Sequence, residues 1–177
     1  MSKLTPYQET MLASWNAHGR AEIVLRSPDA TIATMADDPY IFEIPLGHRI
    51  VGRKAVYSYY QNDFLTKIPP DFEIVPIRRV IGEDHIVDES VGRFTHTLEM
   101  PFMLPGIAPT GRRAETIIIA IIGFEGGKVK YEHLMWDHAG LLSQIGIVPQ
   151  REAALGTSSP KEILKITGTP DKPLRME

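Results

Sequence analysis

The chain contains no cysteine. That absence excludes a disulfide framework, a thiolate zinc site, an iron–sulfur cluster and a cysteine nucleophile, so any metal would have to be held by histidine and carboxylate. A basic stripe is missing as well: 19 Lys+Arg against 22 Asp+Glu give a net charge of −3, and Lys and Arg are nowhere concentrated. Phosphate backbones need such a footprint, so nucleic acid is not an expected partner. Long apolar runs are also lacking. The longest aliphatic stretch, Ile117 to Ile122, is far short of a bilayer span, and the first six residues, Met1 to Pro6, lack the basic and apolar regions of a secretion signal. A cytoplasmic protein without membrane contact is expected. Gly-x-Gly-x-x-Gly, Gly-x-x-x-x-Gly-Lys-[Ser/Thr], Gly-x-Ser-x-Gly and His-Glu-x-x-His do not occur, so no nucleotide, serine-hydrolase or strong metal motif is present. No cofactor and no metal are expected, and a small molecule is the expected ligand.

What is present is a globular composition, 43% hydrophobic and 23% charged over 177 residues, enough apolar surface for one core. Thr5-Pro6-Tyr7-Gln8 combines an N-cap threonine, a first-turn proline and a glutamine three residues after the cap, which start a helix. Tyr7, Met11, Trp15 and His18 then recur at helical spacing, with Gly19 placed to end or loosen the helix. Ser27-Pro28-Asp29 starts a second helix carrying Ile32 and Met35, and Gly52 to Tyr60 a third, reaching about Leu65. A short strand, Tyr40 to Pro45, lies between them. After Pro69-Pro70 the character changes. Residues 72–81, 86–99, 114–124 and 129–137 are rich in Val, Ile, Thr and aromatics, with hairpin breaks at Gly82-Glu83-Asp84 and Glu125-Gly126-Gly127. Helices first and a meander afterwards predict an α+β domain whose curved antiparallel sheet wraps the three helices. The unalternated run Ile117 to Ile122 predicts a strand covered on both faces, the outer one by a second copy of the chain. Residues 1–148 form the expected domain. The remainder, 149–177, turns to Gly, Ser, Pro and charge around a helical turn from Ser159 to Ile166, and is expected to be mobile or to wrap a partner subunit.

Titratable residues gather in two strands. In residues 131–137, alternation puts Tyr131, His133, Met135 and Asp137 on one face and Glu132, Leu134 and Trp136 on the other. His133 and Asp137, about 13 Å apart on an ideal strand, can flank a small substrate. In residues 88–99, Asp88, Phe94 and His96 share one face, and Glu89, Thr95 and Glu99 the other. Convergence of His96 with His133 or Asp137 would place groups in unlike environments, the requirement for acid–base work near neutral pH.

The segment Gly127 to His133, followed by Trp136-Asp137-His138-Ala139-Gly140-Leu141-Leu142-Ser143-Gln144-Ile145-Gly146, resembles the last strand and terminal helix of SnoaL-like (polyketide-cyclase-like) proteins of the nuclear transport factor 2-like superfamily. Residues 27–40, 87–89, 94–96 and 103–111 extend the resemblance to roughly residues 10–148. It implies a conical α+β barrel, a bent sheet wrapping three helices around a deep pocket, usually in a homodimer. It also implies enzymes that mostly work with Asp, His or Tyr and no cofactor: cyclases, ketosteroid isomerases, epoxide hydrolases and dehydratases. The resemblance implies Asp137 as the candidate for the family's acid–base aspartate. Position 133, Trp in many relatives, is here His133. The dienelactone-hydrolase-like label carried by some of this branch does not suit a chain without cysteine.

Two functions are weighed. One is a cofactor-independent lyase, isomerase or cyclase acting on a small, mostly apolar oxygenated molecule, with Asp137 as base and His133 or His96 returning the proton. Trp15, Tyr40, Phe94, Phe102, Met103 and Met135 are the expected substrate contacts. The other is a non-catalytic small-molecule-binding or assembly module of the same fold. A structural role for Asp137, as N-cap of the helix near Ala139, competes with the catalytic one.

Overall fold

A computed structural model describes residues 3–149 and 159–174. The first helix, α1 (Pro6–Arg20), starts at the capping box read from the sequence, with the Thr5 hydroxyl accepting from the Gln8 N–H and the Gln8 side chain accepting from the Thr5 N–H. It does not stop at Gly19 but runs into a π-helical turn, Ala21–Leu25. Then α2 (Pro28–Ala33) begins at the Ser27 cap. Met35 is not the end of this helix. It opens strand β1 (Met35–Glu43), because the Thr34 hydroxyl donates back to the Thr31 carbonyl and Met35 pairs with Val129 instead. Strand β2 (His48–Val51) returns antiparallel to β1. Next comes α3 (Arg53–Tyr59), which also passes into a π-helical turn, Tyr60–Phe64.

Four strands follow: β3 (Glu73–Ile81), β4 (His85–Thr95), β5 (Arg113–Glu125) and β6 (Lys128–Trp136). They form the antiparallel meander expected from the hairpin breaks. Gly126 and Gly127 both hold positive φ, 59° and 79°, as a tight hairpin turn demands. The sheet order is β2-β1-β6-β5-β4-β3, a curved and unclosed sheet. Its one parallel pairing is β1 beside β6. Among the described residues two short helices complete the chain, α4 (His138–Gln144) and α5 (Ser159–Thr167).

The concave face of the sheet and the three leading helices enclose the main core, with Met11, Met35, Ile41, Tyr60, Phe94 and Ile122 fully buried in it. Phe102 and Met103, from the loop after β4, are core residues too, Phe102 packing edge-on to Phe64 at 4.8 Å. The outer face differs from the expectation of a second chain covering it throughout. Leu164 and Ile163 of α5 lie over Val75 and Val91, the Asp171 carboxylate accepts from Arg93, and Leu174 donates its N–H to the Ile74 carbonyl. The chain thus supplies part of its own second layer over β3 and β4. Across β1, β6 and β5 the outer face stays half-exposed, with Ile117, Ile119 and Ile121 in its centre. No helix of the described residues is long and apolar enough to cross a membrane.

Candidate functional site

Strand alternation holds in β6, and the helices decide which face matters. Glu132, Leu134 and Trp136 point to the concave side. Glu132 faces His18 of α1 and Tyr60 of the second π-turn, while Glu22 of the first π-turn closes the group. A π-turn inserts one residue and re-aims the side chains after it, and such turns recur at functional sites. Among the described residues both π-turns deliver a member of the cluster.

The His18 ring is fully buried. Its Nδ1 lies 2.7 Å from the Thr34 hydroxyl, whose own proton goes to the Thr31 carbonyl, so Nδ1 carries a proton and donates it to Thr34. Nε2 lies 3.1 Å from Glu22 Oε1, 3.3 Å from Glu132 Oε1 and 3.2 Å from the Tyr60 oxygen. The Tyr60 hydroxyl donates to Glu132 Oε1 at 2.8 Å. Trp15 stacks on His18 at 5.2 Å and donates its indole N–H to Asp88. Burial alone would push the imidazole toward neutrality, but Glu22 and Glu132 together outweigh it and raise its pKa to about 10. Desolvation also raises the Glu22 carboxyl, against the opposing pull of His18. The Tyr60 phenol is raised by burial and then by the two carboxylates beside it.

A second polar group adjoins the first. Glu43 of β1 is buried, accepting from Tyr59 Oη at 2.6 Å and facing His48 Nδ1 at 2.8 Å. Burial raises its pKa, with Tyr59 and His48 opposing. Tyr59 and Tyr60 are consecutive, their rings 5.6 Å apart. A surface groove of about 500 Å³ between β2 and α3 is lined by His48, Arg49, Ser58, Tyr59 and Asp63, so Tyr59 stands between solvent and the buried cluster.

The residues singled out by sequence are dispersed. His133 is on the convex face, where its Nε2 lies 3.1 Å from the Tyr40 hydroxyl, within a stack of Tyr40, Tyr131 and His133. Tyr131 lies directly over Gly123, where a Cβ would sit 2.0 Å from the ring. Met135 shares that outer face and is 43% exposed. Asp137 is the N-cap of α4, its Oδ1 accepting the Gly140 N–H at 2.8 Å. His96 is buried in the loop after β4, its Nδ1 bonded to Thr110 and its Nε2 without a partner, and burial lowers its pKa. Phe94 is packed in the core, stacked on Phe72. Of the expected contacts, Trp15 is the one in touch with the His18 cluster. Glu132 went unselected although the sequence held a signal for it: it alternates with Leu134 and Trp136, the pattern of a carboxylate turned inward.

Comparison with known proteins places this chain in a family. The model of the SnoaL-like polyketide cyclases matches residues 13–145. The chain belongs to this family. A SnoaL-like protein from Jannaschia sp. CCS1 superposes with a TM-score of 0.65 at 13% identity, over 84% of this chain and 100% of that one. A phenazine biosynthesis-related protein from Pseudomonas aeruginosa gives 0.65 at 15% identity, over 87% and 94%. An epoxide hydrolase/cyclase-like enzyme of pyran ring formation in the polyether salinomycin gives 0.52 at 14%, over 73% and 89%. These likenesses establish the fold. No curated protein matches the chain in sequence.

Proposed function

We propose that this SnoaL-like chain is an acid–base isomerase, lyase or cyclase for a small, mostly apolar oxygenated molecule, working inside the cone without a cofactor. The observation that carries the proposal is the convergence of His18, Glu22, Glu132 and Tyr60 on one buried point. Glu132 accepts an acidic C–H or O–H proton from substrate. The His18 Nε2–H and the Tyr60 hydroxyl, both already aimed at carboxylate oxygen, donate to the oxyanion that develops, where a dry site makes such donors strongest. Tyr59 has to swing aside for substrate to pass from the β2–α3 groove to Glu132. The salinomycin neighbour, an epoxide hydrolase/cyclase-like enzyme of pyran ring formation, supports chemistry of this acid–base kind.

In this reading Asp137 serves as a helix cap and His133 belongs to a contact between two copies. The half-exposed stripe of Tyr40, Phe42, Tyr131, Met135 and the outer isoleucines supports a homodimer joined through that face, with the cytoplasm as its place of work. A second reading, a non-catalytic binding module, draws on the sealed position of His18, which no solvent reaches.

The two separate by solvent deuterium exchange into a panel of small enolisable ketones and lactones, read by mass spectrometry. Exchange by the native chain that falls ~10²- to 10⁴-fold in Glu132→Gln supports catalysis. Retention of a panel member without exchange, or equal exchange by both chains, overturns it.

A further inference from the structure

The His18 cluster has the donor set, the spacing and the charge of a metal site. Three acceptor atoms, His18 Nε2 and one oxygen each of Glu22 and Glu132, lie within 4.8 Å of one another, and all three residues are buried or nearly so. Two of the edges measure 3.1 and 3.3 Å. A tetrahedral ion bound at about 2.0–2.2 Å to nitrogen and oxygen has ligands about 3.3–3.6 Å apart. The Tyr60 oxygen lies beside them, 3.2 Å from Nε2 and 2.8 Å from Glu132. Thr34 accepts from Nδ1–H and turns the Nε2 lone pair inward, the outer-shell arrangement that orients a metal-bound histidine.

Charge points the same way. With His18 as an imidazolium and both carboxylates ionised, this buried group carries one net negative charge. A divalent ion beside a neutral imidazole and two carboxylates carries none. The protonated cluster reaches neutrality only by protonating a carboxyl as well. Glu22 is the route in, since its side chain, 12% exposed, is the solvent-facing edge of the group.

We propose that His18, Glu22 and Glu132, with Tyr60 beside them, form a site for one divalent transition-metal ion. One imidazole with carboxylates and no thiolate suits zinc, manganese or cobalt. On binding, the ion forms a bond to Nε2 and the Nε2 proton leaves to solvent. Metal and proton therefore exclude one another, and a loaded chain cannot use His18 as a proton donor. The site rests on the same residues as the acid–base reading but does not depend on turnover, so each can fail alone: exchange chemistry is read on substrate, the site on metal.

The test is calorimetric titration of the chelator-treated full chain with zinc chloride, repeated with cobalt(II) and followed by its visible spectrum. The expected result is one ion per chain, with a proton released to buffer. Glu22→Gln, at the solvent edge, and His18→Gln should each lose at least ~100-fold in affinity, and Thr34→Val, which removes only the orienting partner, ~10- to 100-fold. Melting curves establish which variants are folded; should His18→Gln not fold, Glu22→Gln and the cobalt spectrum of the native chain decide. Absence of binding at millimolar zinc, or full affinity in a folded Glu22→Gln chain, would overturn the site. So would loss of binding on substituting the exposed His48 or the half-buried His133 instead.

Discussion

The two faces of β6 each carry a titratable side chain, His133 and Glu132, to opposite ends. On the convex face His133 stacks on Tyr131 and lies tilted against Tyr40, one ring nitrogen on its phenol, in a stripe open to contact. On the concave face Glu132 meets His18, Glu22 and Tyr60, with solvent touching only the edge of Glu22. Residue type is therefore a poor guide to chemistry in this strand. Desolvation and converging charge set the state of a titratable group, and both require neighbours from several elements.

The contrast is tested hardest by stability. His18→Leu leaves Glu22 and Glu132 facing each other in the core and should cost about 3–5 kcal/mol in urea denaturation, the usual result of orphaning buried charge. His133→Leu on the outer face should cost far less. Equal losses would mean that the concave cluster is no different from the convex stack.

The pH dependence follows. The pKa of His18 in the folded chain, about 10, lies above the ordinary 6.5. Its stabilising contribution is fully present below about pH 6.5 and is lost as pH rises through about 10. The raised carboxyls of Glu22 and Glu43 act in the same sense at lower pH. Denaturation midpoints should therefore fall from neutral to alkaline pH, and the fall should shrink in His18→Gln. A midpoint that rises over that range contradicts the assignment.

On the convex face, Met135→Glu places a carboxylate in the proposed contact between copies. Light scattering should report a monomer where the native chain is a dimer, with the melting temperature of the monomer little changed. Unaltered mass would move the contact elsewhere. Asp137→Ala should remove the α4 cap at a cost of about 1 kcal/mol, while Asp137→Asn keeps it. A large loss of exchange activity in the Asn variant, with an unchanged melting curve, would return Asp137 to the proton-transfer role that the family resemblance implies.

Most of the fold was written locally. The Thr5 box, Ser27-Pro28, the diglycine at Gly126 and the β-branched runs act over a few residues, so helix starts, hairpins and the order of helices before meander were legible from them. Alternation likewise fixed that Glu132, Leu134 and Trp136 share a face. It could not say which face the helices cover, because a strand's period is symmetric about its own plane. Only the packing of α1 and α3 broke that symmetry, and it put Glu132 inside and His133 outside. The π-turns that bring Glu22 and Tyr60 to His18 left no mark in the sequence, since they arise where tertiary contacts make an extra residue per turn worth a strained hydrogen-bond ladder. Nor could Val75 and Val91 announce that α5, some 70 to 90 residues further on, would cover them. The sequence by itself determined the elements and the pairing of side chains within them. Which of those side chains meet across the core, and so which of them can share a proton or an ion, was decided by tertiary packing alone, because burial and charge convergence are properties of surfaces brought together from distant parts of the chain.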